Sequence, residues 1–568
     1  MKYNTDRVKM INWSFEEVPV GSVTAGGEIG RRMALAADKI LHHMDLDGVF
    51  LEPFRNRRAE PAVPGGFAGS GMLLDALVKA AAQGVGGDEM RRCKERFLAA
   101  LTAAQSEDGA ITIFRDGPGF WDNHDQAYMI QGLVRDFLWF GNASSLEAAV
   151  RLGRFLIGRR SGVTLGLEQA FLMLGEVSGD SRYLEYCRRE FRIAEPLDVY
   201  DRLTEVNGNA HVYTMTARVL AQLEYARLTG DFNPAVSDGI RQLYDRVLRG
   251  GFSSVTGSCS GGIFWGEIWD DSQIGLGRWG ETCASAYLMR LSAAMTAMTG
   301  ETIYGDLFER ICFNAFFGAQ SADGLRYRYF SPFNEPGDWY DRDSYCCPNN
   351  FRRMVFELPQ AVYFRAPDGV VVNLYTDSAY RDGSFRILQR TAYPLDGEVH
   401  LTVDAPEGSV MRFRIPRWCA DPVVRHGGRE FHPEPGTLFA LRGGWRREPL
   451  VELSFPMPVR LVRGSRAQAG RVAVMRGPLV YALEQERNRL PRVLLDVLAI
   501  GDGGRFVPEE EAIRFNCTEE FRSRQQRTVS FTRFSEENRS RTFFPLLPGA
   551  APTVEDELYR SAVDSSRG

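Results

Sequence analysis

At Cys346 and Cys347 the chain sets two cysteines side by side, immediately before Pro348. A vicinal pair closes a disulfide only by straining the peptide bond between its members, because a disulfide wants its Cα atoms well apart. The pair is therefore incidental, or it supplies two ligands for something else. Upstream, G-E-T-C-A-S-A-Y-L-M-R-L places Glu281 and Cys283 two apart at the start of an apolar helix. The electropositive N-terminus of a helix favours a carboxylate and a thiolate alike. With the cysteine pair opening another helix, one carboxylate and three thiols become candidate metal ligands. Zinc accepts such a set in tetrahedral geometry, with sulfur at about 2.3 Å. Neither half is a C-x-x-C, and a free cysteine often serves as a small buried apolar residue. On spacing alone, both readings stand.

Those residues need a scaffold that presents helix starts. From about residue 29 to 364, apolar residues recur at three- and four-residue spacing, the pattern of amphipathic helices. Examples begin at Gly69 (G-S-G-M-L-L-D-A-L-V-K-A-A-A), Met90 (M-R-R-C-K-E-R-F-L-A-A-L) and His211 (H-V-Y-T-M-T-A-R-V-L-A-Q-L-E-Y). Gly-Asp and Gly-Asn pairs punctuate the ends. About twelve such segments fit six helical hairpins closed into a ring. After about residue 365 the texture changes to short alternating or apolar runs, among them G-V-V-V-N-L-Y-T, E-V-H-L-T-V-D-A and R-V-A-V-M-R-G-P-L-V-Y-A-L. Gly, Pro and Asp separate them, which is the signature of an antiparallel β-sandwich. The expected organisation is a helical catalytic domain at 1–364, a sandwich at 365–505 and a C-terminal extension at 506–568. That extension is a candidate for further strands of the sandwich, and the N-terminal ~20 residues are candidates for packing on it.

Composition narrows the function classes. With 568 residues the chain should split into two or three domains. A net charge of -5 gives no long-range attraction to phosphate backbones or anionic lipid. Nucleic-acid and membrane partners are not expected, and no stretch reaches the roughly 18 apolar residues of a membrane span. The N-terminal stretch has no apolar signal core, and nine cysteines are no disulfide framework. A cytoplasmic enzyme with available thiols is the expectation, with a homodimer as a candidate assembly.

The combination of G-E-I-W at Gly266, G-E-T-C at Gly280 and C-C-P-N-N-F-R-R at Cys346, inside a helical domain, resembles glycoside hydrolase family 127. These are the β-L-arabinofuranosidases and their relatives. The resemblance runs from about residue 30 to 490, continuing through V-N-L-Y at Val372, F-R-I-P-R-W at Phe413 and R-G-P-L-V-Y-A-L-E-Q at Arg476. It implies an (α/α)6 barrel followed by an all-β antiparallel sandwich. It also implies that Glu281, Cys283, Cys346 and Cys347 bind Zn2+, that Cys346 is the nucleophile, and that Glu267 is the general acid/base. A retaining glycosidase needs one group to attack the anomeric carbon and another to protonate the leaving oxygen. A thiolate serves as the first if a cation keeps it deprotonated. Without the resemblance, Glu267 reads as an ordinary loop carboxylate beside Asp270 and Asp271.

For substrate contacts, the resemblance points to His211 and Tyr329. The family usually has histidine where Tyr128 stands here, and His124, one turn earlier, is placed to replace it in part. Trp265 and Trp269 could offer a stacking face, although aromatics near a motif are more often core. Cys93, Cys187, Cys259, Cys312 and Cys419 have no matched partners and read as core thiols. The implied activity is exo-hydrolysis of a terminal L-arabinofuranose-like sugar on a plant-derived glycan. The alternatives are another L-furanoside, such as an acidic pectic sugar of the aceric acid type, a non-hydrolytic barrel enzyme, and a carbohydrate-binding protein with a structural zinc.

Overall fold

The computed structural model describes residues 13–57, 69–115, 119, 121–157, 165–196, 211–231, 233–249, 251–262, 266–491, 498–501, 504–519, 526–536, 539–547 and 552–560. Among them, twelve α-helices of nine or more residues run from Gly27 to Val355. Eight form consecutive hairpins: Ser70–Ala82 with Gly87–Ala103, Asp122–Phe140 with Ala143–Leu156, Leu167–Ser178 with Ser181–Arg189, and Thr282–Thr299 with Thr302–Ile311; Pro234–Leu248 follows Val212–Thr229 after four residues. The connections are tight because Gly141, Gly179, Gly230 and Gly300 sit just past helix ends at φ of 70–75°. That left-handed conformation lets a helix close its last carbonyls and turn at once. The Gly-Asp and Gly-Asn punctuation of the sequence is this device.

The helices are placed by their apolar stripes. In Gly87–Ala103, the buried residues Met90, Cys93, Phe97 and Leu101 follow the three-and-four spacing. Ser70–Ala82 is buried almost throughout and lies close against Asp122–Phe140. The closeness depends on Gly71, where a side chain would collide with the backbone of Asp125 and Met129.

The described residues fall into two compact units that interleave along the chain. One holds Arg32–Leu243 and Asp341–Leu358; the other holds Ser14–Arg31, Tyr244–Tyr340 and Pro359–Gly568. The second unit contains the sheets. A five-stranded sheet runs in the order Glu16–Glu17, Tyr363–Ala366, Gly369–Val372, Val410–Arg414, Leu438–Arg442. A seven-stranded antiparallel sheet is centred on Glu398–Asp404, whose Val399, Leu401 and Val403 point inward while their neighbours face solvent. In a ten-stranded sheet, Val459–Arg463, Arg471–Arg476 and Leu479–Glu484 join seven strands from Leu498–Val554. The run from Arg471 to Leu483 divides into two strands at Gly477–Pro478. Two pairings, Gly369–Val372 with Val410–Arg414 and Val459–Arg463 with Thr553–Val554, are parallel, departing from a purely antiparallel arrangement. Val23–Ala25 pairs with Ser378–Tyr380 in the seven-stranded sheet. No helix of the described residues is long and apolar enough to cross a membrane.

A buried ion cluster fastens the Thr302–Ile311 helix to the sheets of its unit. Arg414, fully buried, donates to Asp306 at 2.5 Å and to Glu309 at 2.6 Å, and Glu309 also accepts from Tyr393 at 2.7 Å. Arg414→Ala strands two buried carboxylates, so a loss of about 3–5 kcal/mol of stability is expected. Denaturant unfolding of parent and variant checks it.

Candidate metal and active centre

The Glu281–Cys283 half of the centre is set by backbone bonds on both sides. Gly280, at φ 72°, donates to the Ser260 carbonyl at 2.8 Å and accepts from the Ser331 N–H at 3.0 Å. Glu281 N–H donates to Ser260 Oγ at 2.7 Å, and Thr282 N–H to the Tyr329 carbonyl at 2.9 Å. A side chain at 280 would press on Ser331 O and Ser258, so only glycine makes this turn without strain. The chain then enters the Thr282–Thr299 helix with Glu281 as its cap and Cys283 in its first turn; both are buried.

Cys346 and Cys347 open the Cys346–Val355 helix. Pro348 sits in the first turn, where a missing N–H costs no helical bond. Asn349 Nδ2 donates back to the carbonyls of Asp343 and Tyr345 at 3.1 and 2.9 Å, and Arg352 Nη1 to the Asp343 carbonyl at 3.2 Å. These bonds hold the approach to the helix. Cys347 is buried and Cys346 half-buried.

The carboxylate and sulfur atoms of Glu281, Cys283, Cys346 and Cys347 all lie within 4.8 Å of one another. Four groups that repel as anions, most of them cut off from water, are stable together as protonated neutrals or around a cation. Three soft thiols with one carboxylate suit a tetrahedral thiophilic ion. The quartet can hold a metal.

The remaining expected residues sit as follows. Glu267 is half-buried, and Tyr329 Oη donates to its Oε1 at 2.6 Å. Trp269 packs against Phe252, with ring centroids 5.4 Å apart; Trp265 lies outside the described residues. His124, Tyr128 and His211 gather around Tyr213, which sequence reasoning missed although it stands two residues after His211. Tyr128 and Tyr213 share a hydroxyl–hydroxyl bond of 2.5 Å. The His124 ring lies 5.1 Å from Tyr128 and 6.1 Å from Tyr213, and His211 lies 5.8 Å from Tyr213. Nδ1–H of His124 donates to the Leu165 carbonyl at 2.8 Å. Burial pushes the pKa of His124 down to about 4, so its ring is neutral at pH 7. His124 and Tyr128 are buried, whereas His211 is half-exposed. The six other cysteines, Cys517 among them, are all buried. Burial raises the thiols of Cys419 and Cys517 to about 12, which leaves them inert.

The family model for the GH127 β-L-arabinofuranosidase catalytic domain matches residues 65–360, and that for the GH127 middle domain residues 369–457. The chain belongs to glycoside hydrolase family 127. The GH127 chain is 30% identical over 486 residues to the non-reducing end β-L-arabinofuranosidase of Bifidobacterium longum subsp. longum, covering 70% of its own length and 72% of that protein's. Among solved structures it resembles the GH127 β-arabinofuranosidase BT3674, with TM-score 0.79 and 20% identity over 95% of this chain and 99% of that one. It also resembles Ara127N-Se, a GH127 β-L-arabinofuranosidase from Geobacillus stearothermophilus T6, with TM-score 0.76 and 20% identity over 92% and 100% of the two chains. These likenesses establish the fold, a helical (α/α)6 barrel followed by all-β sandwich sheets. As a GH127 member the chain is a glycoside hydrolase.

Two outcomes follow for this GH127 chain. Protein purified reduced should carry about one equivalent of bound metal by elemental analysis, and Cys347→Ser should fall well below one. His124 has a folded pKa below its ordinary value of 6.5. The unfolded chain therefore takes up its proton first, and stability is lost as pH falls from 6.5 toward 4. Between pH 7 and 5 that loss is about 2 kcal/mol for this one group. His124→Asn, which keeps an N–H donor, should lose that much less over the same interval, read by chemical denaturation at both pH values.

Proposed function

We propose that the chain is a retaining exo-glycosidase that releases a terminal β-L-arabinofuranose-like sugar from plant-derived glycans. The observation that carries the reading is the convergence of Glu281, Cys283, Cys346 and Cys347 within 4.8 Å, in a chain 30% identical to a non-reducing end β-L-arabinofuranosidase. A bound zinc ion, held by those four residues, supplies the charge that keeps the thiols deprotonated at neutral pH.

The chain's own residues divide the chemistry. Cys346 Sγ attacks the anomeric carbon as Glu267 gives its proton to the departing glycosidic oxygen. Glu267 then takes a proton from water, which attacks the same carbon, breaks the C–S bond and returns Cys346. Two displacements at one carbon give retention. The hydrogen bond from Tyr329 Oη fixes which way the Glu267 carboxylate faces. His211 and Tyr329 are the candidates for contacts to sugar hydroxyls, and His124 and Tyr128 pack with Tyr213 beside His211. This machinery is assigned to residues 1–364, with a sandwich at 365–505 to which 506–568 adds strands. The absence of disulfides among the nine cysteines suits a reducing, cytoplasmic compartment.

A second reading concerns the sugar alone. Tyr128 stands where the family usually has histidine, and its hydroxyl is engaged by Tyr213. Losing a sugar-binding imidazole leaves the chemistry intact and alters which sugar fits, so an acidic L-furanoside of pectin is the alternative substrate.

The test is hydrolysis of an aryl β-L-arabinofuranoside by zinc-loaded protein, with the first-formed anomer read by NMR. Parent turnover with retained configuration is expected, and Glu267→Gln should lower it about 10²–10⁴-fold. An inverted product would overturn the mechanism. A folded, metal-loaded parent that leaves this glycoside intact but cleaves an acidic L-furanoside would move the assignment to the second sugar.

A further inference from the structure

The Cys346–Val355 helix is polar where a packed helix would ordinarily be apolar. Asn349, Asn350, Arg352 and Arg353 are each at most 2% exposed. Arg353 follows Cys346 by seven residues, two helical turns, so it lies on the same face as that thiol, about 10 Å along the axis. Its Nε donates to Asp75 Oδ2 at 2.6 Å, Nη1 to Asn350 Oδ1 at 2.8 Å and Nη2 to Gln131 Oε1 at 3.2 Å. Its guanidinium also lies over the Tyr128 ring, 4.2 Å from the centroid. One side chain thereby ties the cysteine helix to Ser70–Ala82 through Asp75, and to Asp122–Phe140 through Gln131 and Tyr128.

Asp75 is the hub of this arrangement. It is fully buried, and it takes Lys79 Nζ and Arg135 Nη1 at 2.5 Å each besides Arg353. Burial pushes its carboxyl up, and Arg135, Lys79 and Arg353 together outweigh that and hold it well below the usual carboxylate range. Such a set is weak evidence of a stabilising role, because apolar side chains of like volume often serve as well or better. What it supplies is geometry. A planar fork gripped on three edges and one face admits a single rotation of its helix. A purely apolar seam would let the helix turn by several degrees at little cost. Ligand atoms that must converge within 4.8 Å would not survive that turn.

We infer that Asp75 and Arg353 are positioning residues, which fix the rotation and axial setting of the Cys346–Val355 helix so that both thiols point into the ligand cluster. The inference rests on the reading of that cluster as a metal centre. Arg352 does the same for the approach to the helix: it donates to Asp343, whose other oxygen is paired with Lys39 at 3.0 Å.

The test compares Arg353→Lys and Asp75→Asn with Lys94→Met. Lys94 and Asp136 form an equally buried pair at 2.7 Å between Gly87–Ala103 and Asp122–Phe140, outside the hydrogen bonds of Asp75 and Arg353, so Lys94→Met reports the general effect of losing such a pair. Two readouts are taken at 25 °C, with melting temperature alongside. The first is the rate at which cobalt(II) passes from loaded protein to a chelator. The second, on metal-free protein, is iodoacetamide labelling of Cys346 relative to Cys347 by peptide mass spectrometry. Arg353→Lys keeps the charge and should still fold, yet should release cobalt at least about tenfold faster, as outer-shell losses do, and lose the preference for Cys346. Lys94→Met should melt lower and stay within about twofold of parent in both readouts. If Arg353→Lys behaves like Lys94→Met, the residues are merely structural and the inference fails. A parent that takes up no cobalt would sink the metal reading itself, and the labelling ratio would then decide the positioning role alone.

Discussion

Mutual repulsion among four acidic ligands is the constraint on which the rest of the centre depends. At an effective dielectric near 20, two unit charges 4.8 Å apart repel by about 3.5 kcal/mol. The helix ends help in the right direction, since Cys283, Cys346 and Cys347 all lie in first turns. Each end contributes only about 0.3–1 kcal/mol, far less than the repulsion among several anions. Helix dipoles therefore cannot keep the quartet ionised, and a cation decides its charge state. In the proposed mechanism this separates Cys346 from buried thiols such as Cys419 and Cys517, which burial keeps protonated.

A cluster that is unfavourable without its ion cannot organise the chain around itself; the chain must hold the ligands in place beforehand. Each half of the centre shows how. Glu281 is fixed by backbone groups at 280, 281 and 282 that bond to Ser260, Tyr329 and Ser331, much as a strand edge would be. The cysteine pair is fixed by side chains instead, since the first turn of a helix has no carbonyl partners for its N–H groups. Asn349, Arg352 and Arg353 take over that task from within the same helix. Their burial carries a desolvation cost that apolar residues would avoid, and their contribution is orientation.

Much of this was legible in the sequence because it depends on local pattern. Glycines such as Gly141 and Gly230 announce helix ends through their own backbone freedom, and the apolar spacing before them announces the helices. Glu281 and Cys346–Cys347 stood out as a carboxylate and a vicinal thiol pair at helix starts, and the family resemblance decided between the metal and core readings. What stayed illegible is long-range. In S-G-M-L-L-D-A-L-V-K-A-A-A, Asp75 and Lys79 have the four-residue spacing of an ordinary exposed ion pair, and only the fold buries them against Arg353, 278 residues away. Tyr213 carries no signal beyond its proximity to His211. The division of strands among the three larger sheets, with two parallel pairings, depends on register that no single strand encodes.

The Tyr128 position shows how far a departure from a family pattern carries. Read from sequence, tyrosine for histidine changes a hydrogen-bonding group that faces sugar. In the fold, Tyr128 is fully buried, its hydroxyl is committed to Tyr213, and its ring lies between Arg353 and His124. A residue so enclosed selects a sugar only through what it holds in place. His124 is likewise buried and neutral, with Nδ1–H committed to the Leu165 carbonyl. Of the three, His211 alone is partly exposed, and its Nδ1 is already steered by Thr214 Oγ1 at 2.7 Å. If this cluster of side chains faces the sugar as proposed, its effect on specificity comes through packing that orients one imidazole. A Tyr128→His change would alter the substrate less by adding a donor than by loosening the Tyr213 and Arg353 contacts behind it.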